Sequence, residues 1–205
     1  AQDKLTRQMP IRIVSDGVLT RSVRDTAAFL REAERVYRAL SLPPIGDVTR
    51  PGRTRLRIAV HTGGIGRSAE PEVVDLTLKA ARLLEELGHR VDQVEHPAPA
   101  TVPDDFLLYW SMLAMAIVRT GRRQLGPSFD RTRLDNLTLG LDRHCRRHLH
   151  RLPGAIRRLR RLARISADFH QRYDVVLTPT LAQTTPQVGH LDPTNDFETV
   201  MERIL

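Results

Sequence analysis

The densest group of potential metal ligands and nucleophiles in the chain lies within one short segment. It consists of His144, Cys145, His148 and His150. A metal would need neutral imidazoles and a deprotonated thiol, yet the arginines at 143, 146, 147 and 151 would repel the cation. Neither the residue types nor their spacing matches a zinc pattern. At helical spacing Cys145 shares a face with Leu149, so we expect a core cysteine, no nucleophile and no metal here.

A glycine-rich segment at 63–66 follows the alternating strand pattern of Leu56, Ile58 and Val60. Glycines between a strand and a helix can cradle a phosphate with backbone N–H groups. The spacing here is neither that of GxGxxG nor that of a P-loop, and no Lys-Ser or Lys-Thr pair follows. The pattern therefore favours a plain connection between the strand and the next helix.

Serine catalysis has no local signature in this sequence. There is no GxSxG elbow and no HExxH motif. Ser22 stands three residues before Asp25, which is the spacing of a capping box, so we expect Ser22 to begin a helix. From the residues alone we predict no catalytic residue in this chain.

Positive charge is concentrated at residues 143–164, which hold nine arginines and no acidic residue. This arginine stripe could be a basic module that binds nucleic acid or an acidic partner. The favoured alternative is a solvated helix face, because the stripe holds no aromatic side chain to stack on a base. Its apolar residues recur at helical spacing, at Leu149, Leu152, Ile156, Leu159 and Ala163. Pro153 is expected near the start of a second helix.

The composition indicates an ordinary folded protein of 205 residues, 40% apolar and 27% charged, with a net charge of +8. A single cysteine excludes an internal disulfide framework and suggests a reducing compartment, so we expect a cytoplasmic protein. No segment approaches the roughly 18–20 apolar residues that span a bilayer, and we expect no membrane partner. The first residue is Ala rather than Met, which suggests an excerpt of a longer protein.

The elements that must position any site follow an α/β pattern. Residues 55–95 predict a strand, a helix and a second strand, which implies parallel strands flanked by helices. Residues 105–172 predict a largely helical region. The β-branched run Tyr173–Thr178, stopped by Pro179, predicts a buried sheet strand. A last helix is expected from Asp196.

Three segments of the chain, in this order, resemble the amidase signature family. Residues 9–27, with Leu-Thr-Arg-Ser-Val-Arg-Asp at 19–25, resemble the stretch that follows that family's catalytic core. Leu56–Val60 together with Leu84–Val91 is similar to its β-α-β segment. Tyr173–Thr180, which reads Tyr-Asp-Val-Val-Leu-Thr-Pro-Thr, is similar to a later strand.

The resemblance implies a partial α/β/α sandwich with a mixed, largely parallel sheet and a helical insertion. The chain would then be a single incomplete domain in four parts. These are a helix and loop after the family's signature (1–54), the β-α-β unit (55–95), the helical insertion (105–172) and a strand with a pocket loop (173–205).

The resemblance also implies hydrolysis of the C–N bond of a small-molecule carboxamide, without a cofactor. Family members use a serine nucleophile, a bridging serine in a cis peptide and a lysine base. The family's Gly-Gly-Ser-Ser run does not occur in this sequence, and its two lysines, Lys4 and Lys79, stand in unrelated contexts. We therefore expect a chain that is inactive alone. No sequence pattern indicates its oligomeric state.

The resemblance places the loop after the Thr-Pro-Thr strand near the substrate pocket. The candidate substrate-binding residues in that loop are Thr180, Gln183 and Thr185. Open α/β sheets also bind ligands at the carboxyl ends of their strands. Trp110, in the helical insertion, is a further candidate, for specificity toward the acyl side of the substrate. For Trp110 core packing is the favoured alternative, because apolar helical runs are usually buried.

Overall fold

The computed structural model describes residues 9–11, 13, 17–38, 43–50, 52–65 and 67–204. The chain divides into two compact units, residues 1–55 and residues 56–205. In the first unit, helix α1 (Val23–Val36) begins where Ser22 Oγ accepts a hydrogen bond of 3.2 Å from the N–H of Asp25. This confirms that Ser22 caps a helix. The family-like stretch at 9–27 lies partly outside the described residues.

Polar contacts hold the loop that follows α1. The carboxylate of Glu34 accepts hydrogen bonds from the N–H groups of Ile45, at 2.7 Å, and Gly46, at 2.9 Å. These two bonds lower the pKa of Glu34. Gly46 has φ 69°, a left-handed conformation that glycine adopts without strain. Arg31 also pairs with Asp47 at 3.1 Å, so the loop is fixed to one face of the helix.

The second unit contains a parallel sheet and a group of helices. Along the chain its elements are β1 (Arg57–Val60), β2 (Gly63–Gly64), β3 (Arg67–Ser68), α2 (Pro71–Glu86), β4 (Arg90–Gln93), α3 (Val102–Leu125), α4 (Asn136–Arg147), α5 (Leu152–His170), β5 (Val175–Leu177) and α6 (Phe197–Ile204). Single 3₁₀ turns lie at Arg131–Arg133 and Leu149–Arg151. This mixed α/β organisation is the predicted fold class.

The sheet has the order β4-β1-β5, and both strand pairs are parallel. Ile58 lies opposite Val91 on one side and Val175 on the other. Strand β1 is central and fully buried at Ile58, Ala59 and Val60. Strand β5 is only partly buried, with Val175 39% exposed, because the described residues pair with it on one side alone. The predicted strand is therefore confirmed, but its full burial is not.

Helix α2 makes the crossover between the parallel strands β1 and β4. Pro71 lies in its first turn, where a missing N–H costs nothing, and Gly88 ends it with φ 87°. Its buried face runs through Thr77 and Ala81. Ala81 packs with Ile58 and Val60 in the core under the sheet.

The connection from β1 to α2 differs from the plain turn that the glycines favour. Strands β2 and β3 pair antiparallel, with Gly63 opposite Ser68 and Gly64 opposite Arg67. Gly63 and Gly64 therefore form one arm of a small hairpin and lie before the helix, not at its start.

In the helical region α3 packs against α4 and α5, and α6 contributes Phe197 and Met201 to the core. The buried cluster consists of Ala114, Leu141, Phe197 and Met201. Pro153 lies in the first turn of α5, as predicted. The predicted apolar face is wrong at its ends, where Leu149 is 47% exposed and Ala163 is exposed. Leu149 lies in a 3₁₀ turn with three residues per turn, which breaks the α-helical spacing.

Candidate functional site

The carboxyl ends of the three parallel strands meet at one edge of the sheet. Strands β1, β4 and β5 end at Val60, Gln93 and Leu177. Backbone hydrogen bonds continue past them, from His61 N–H to the Leu177 carbonyl at 3.2 Å and from Val94 N–H to the Val60 carbonyl at 2.8 Å. The loops that follow these strands are thus held side by side, at the edge where open α/β sheets bind ligands.

The loop after β5 is fastened to the start of α2 by Glu70. The N–H of Glu70 donates to the Ala182 carbonyl at 2.8 Å. Its carboxylate accepts from the N–H of Thr184 at 3.0 Å. Two bonds from one residue therefore bracket Gln183 and fix the backbone on both sides of it.

The structure brings Thr180, Gln183 and Thr185 together in this fastened loop. Gln183 is partly buried and lines a cleft of about 740 Å³, whereas Thr180 and Thr185 are exposed. The cleft, which we call the loop cleft, also has Ser68, Glu70, His190, Glu202 and Arg203 on its walls. Its walls therefore carry hydrogen-bond donors and acceptors, together with acidic and basic side chains.

Trp110 lies in the other part of this unit, in the middle of α3. It is partly buried and packs against the cluster of Ala114, Leu141, Phe197 and Met201. Trp110 is not among the residues that line the loop cleft. These contacts are the ones expected if Trp110 packs in the core, and its role in substrate specificity stays a prediction.

Two histidines that the sequence analysis did not single out meet at the same edge of the sheet. His61 follows β1 directly, and His96 lies three residues after the end of β4. Their ring centroids are 4.7 Å apart, with the ring planes at 76°. Both line a cleft of about 410 Å³, which we call the imidazole cleft. The available signal was a histidine shortly after each of two strands that the β-α-β pattern makes neighbours.

Each of these rings is oriented by its own loop. His61 Nδ1 donates to the Gly63 carbonyl at 2.9 Å, since a carbonyl oxygen can only accept. His96 Nδ1 accepts from the N–H of Ala98 at 3.0 Å. Burial, and to a smaller extent the neighbouring His61, lower the pKa of His96, which keeps its ring neutral.

The histidine and cysteine cluster lies at the end of α4 and in the turn that follows it. Cys145 is fully buried, and burial together with the charge of Asp142 raises the pKa of its thiol. This confirms the expected core position. His148 Nδ1 donates to the His144 carbonyl at 3.0 Å, within the same helix end. Among the described residues, no group of three or more His, Cys, Asp or Glu side chains is placed to hold a metal ion.

Part of the arginine stripe pairs with buried carboxylates. Arg158 forms two hydrogen bonds to Asp105, whose side chain is buried. Arg146 pairs with the buried Asp142 at 3.1 Å. These arginines stabilise contacts of the helical region, which is a structural use of the stripe. None of the described helices is long and apolar enough to cross a membrane.

Comparisons with known proteins agree with the sequence motifs. The profile of the amidase family matches residues 2–205. A curated protein of Mycobacterium leprae (strain TN), named "Putative amidase AmiC", is 62% identical over 204 residues. Proteins of the same name from Mycobacterium bovis and Mycobacterium tuberculosis are 63% identical over 199 residues.

The match covers nearly all of this chain but less than half of each relative. It includes 99% of the chain and 43% of the Mycobacterium leprae protein. For the proteins of the other two species it includes 97% of the chain and 42% of the relative. No solved structure matches the chain.

Proposed function

The chain belongs to the amidase family, and we propose that it forms part of an enzyme that hydrolyses the C–N bond of small-molecule carboxamides. The observation that carries the proposal is the continuous match, at 62% identity, to a curated protein named as an amidase. The position of the Thr-Pro-Thr loop at the carboxyl edge of the sheet supports it.

In this proposal the chain contributes to the substrate pocket and not to bond cleavage. The sequence has no Gly-Gly-Ser-Ser run, so the nucleophile, the bridging serine and the lysine base are supplied by polypeptide outside these 205 residues. The hydroxyl groups of Thr180 and Thr185 and the amide of Gln183 can each donate and accept hydrogen bonds. They are proposed to hold the part of the substrate beside the scissile bond.

The fastened loop explains how these side chains would act together. Because Glu70 bonds to the backbone at Ala182 and Thr184, the backbone of the loop at Gln183 is held in place without a substrate. A loop with a preorganised backbone loses less entropy on binding than a mobile one. The loop therefore contributes to substrate affinity through its position as well as through its chemistry.

The basic-module alternative has no support from the comparisons. The family match accounts for residues 2–205, including the whole arginine stripe. Two of the stripe's arginines form ion pairs with buried aspartates. We do not propose nucleic-acid binding.

A chimera tests the proposal. The segment of the Mycobacterium leprae protein that matches residues 2–205 is replaced by this chain, and ammonia release is measured with aliphatic and aromatic primary amides. We expect hydrolysis by the chimera and none by the 205-residue chain alone. A folded chimera that releases no ammonia, beside an active Mycobacterium leprae protein, would overturn the proposal. Turnover by the chain alone would overturn the assignment of the catalytic groups.

A further inference from the structure

The imidazole cleft offers one hydrogen-bond acceptor and one donor side by side. His61 donates from Nδ1 to the Gly63 carbonyl, so in the neutral ring its Nε2 carries the free lone pair. His96 accepts at Nδ1 from Ala98, so its proton is on Nε2. Among the residues that the structure describes, none hydrogen-bonds to either Nε2. The two rings are therefore opposite tautomers with their free nitrogens unused.

This pairing is complementary to one chemical group in particular. A carboxamide presents a carbonyl oxygen that accepts and an N–H that donates, both on the same carbon. We propose that the imidazole cleft binds a carboxamide, with its N–H donating to His61 Nε2 and its oxygen accepting from His96 Nε2–H. The proposal rests on the proposed function in taking a carboxamide as the ligand, and it assigns that ligand to two residues outside the loop cleft.

These tautomers fit a carboxamide better than they fit two other ligands. A metal ion needs a lone pair on the ligating nitrogen, but His96 Nε2 carries a proton as long as Nδ1 accepts from Ala98. A carboxylate has two acceptor oxygens and no proton, so it leaves His61 Nε2 without a donor. The two rings are in edge-to-face contact, with centroids 4.7 Å apart, and both line the same cleft, so one small ligand in that cleft lies close to both imidazoles.

Imidazole nitrogen signals of the ¹⁵N-histidine-labelled chain, recorded by NMR during titration with three probes, test the proposal. We expect propionamide to shift the Nε2 signals of both His61 and His96 along one saturation curve. N,N-dimethylpropionamide lacks the N–H, and we expect it to bind about fivefold more weakly, as for one lost hydrogen bond. Propionate should leave the His61 signal unchanged.

Equal shifts with propionamide and N,N-dimethylpropionamide would overturn the proposal, and so would no shift with any probe. The tautomers themselves are visible before any probe is added. Two rings protonated at the same nitrogen would remove the basis of the inference. Because these comparisons use the unaltered chain, they do not depend on the folding of a variant.

Substitutions locate the binding. His96→Phe keeps an aromatic ring without a nitrogen, and we expect propionamide affinity to fall at least fivefold. His150→Phe is the matched control, since His150 is exposed and lies in a different part of the unit. An unchanged affinity in folded His96→Phe would overturn the assignment, as would an equal loss in the control.

Failure here and failure of the proposed function are distinguishable. If the chimera hydrolyses amides while the chain shows no carboxamide response at His61 and His96, this inference fails and the proposed function stands. If propionamide binds as expected while the chimera is inactive, the proposed function fails and the assignment of the binding pair stands.

Discussion

Asp174 binds Arg57 across the join between β1 and β5, through both backbone and side chain. Its carboxylate accepts from the backbone N–H of Arg57 at 2.8 Å and from the guanidinium Nη2 at 2.9 Å. Its own N–H donates to the Arg57 carbonyl at 2.8 Å. One carboxylate thus fixes the register between β1 and β5 by joining two residues that lie 117 positions apart in the sequence.

This contact predicts a loss of stability in acid. The bonds from Arg57 lower the pKa of Asp174 from 3.8 to about 2. A carboxyl group with a lowered folded-state pKa stabilises fully above its ordinary pKa, and the contribution disappears as the pH falls from about 4 to about 2. We expect the urea midpoint of the chain to drop in this window and the drop to be smaller in Asp174→Asn.

Urea unfolding at pH values from 2 to 5 measures this difference. Glu34 and Asp130 also have lowered pKa values in the folded chain, so the variant should keep part of the slope. Asp168→Asn removes an exposed carboxylate of α5 and controls for net charge. Identical slopes in the wild-type chain and Asp174→Asn would contradict the prediction.

The ion pair between the buried Asp105 and Arg158 predicts that a single substitution destabilises the protein more than the double substitution does. Asp105 is 4% exposed and joins α3 to α5 through bonds of 2.8 and 2.6 Å from Arg158. In Arg158→Leu the carboxylate stays buried without its partner, so we expect a clear loss in the free energy of unfolding. Replacing both residues by Leu should recover most of that loss.

Chemical denaturation of the single and double variants measures this difference. Arg157→Leu is the matched control, because Arg157 is next to Arg158 on the same helix and is exposed as Arg158 is. We expect it to change the free energy of unfolding by less than about 0.5 kcal/mol, as surface substitutions usually do. Additive effects of Asp105→Leu and Arg158→Leu would show that the pair is not coupled.

The elements that were predicted from the sequence are those with local signals. The alternation of Ile58 and Val60, the proline at 71 and the glycine at 88 all act within a few residues, and together they define β1 and α2. The parallel pairing of β1 with β4 follows from the crossover helix between them. Local chemistry was therefore enough for the fold class.

The candidate site depends on contacts that local patterns do not encode. His61 and His96 meet because β1 and β4 are neighbouring parallel strands that end at the same level, with Val60 opposite Gln93. Glu70 reaches Thr184 across 114 residues, which requires β5 to lie beside β1. Sequence motifs suggested the loop at 180–185, but not the residue that fastens it or the imidazoles at the same edge.

The close packing around Gly140 predicts that even substitution by alanine destabilises the protein. A Cβ added at Gly140 of α4 would overlap the ring of Phe197 at the start of α6. Because Phe197 belongs to the buried cluster, the ring has little space to move. We expect Gly140→Ala to lower the free energy of unfolding by about 1–3 kcal/mol, although alanine favours helix.

A double-mutant cycle with Phe197→Leu measures the clash. Leucine leaves room beside Gly140, so the alanine should cost less in that background than in the wild-type chain. If Gly140→Ala lowers the free energy of unfolding equally in both backgrounds, the loss does not come from a clash with Phe197.

The last prediction concerns substrate affinity in the chimera. Gln183 lines the loop cleft, and its two neighbours, Ala182 and Thr184, bond to Glu70, whereas Gln187 is an exposed glutamine of the same loop. We expect Gln183→Ala to raise KM for primary amides about fivefold, as for one lost hydrogen bond, with kcat little changed. Gln187→Ala should leave both constants unchanged.

The pattern of kinetic constants separates binding from folding. A destabilised loop would lower kcat and the amount of folded protein together, whereas a lost substrate contact raises KM in a protein with unchanged thermal stability. Thr180→Val and Thr185→Val extend the test to the exposed hydroxyl groups. Trp110 packs against the buried cluster of the helical region. If it only fills the core, Trp110→Phe should leave KM unchanged. If it contacts the substrate, the change in KM should depend on the acyl group of the amide. Unchanged KM in all three loop variants would remove the loop from the substrate pocket.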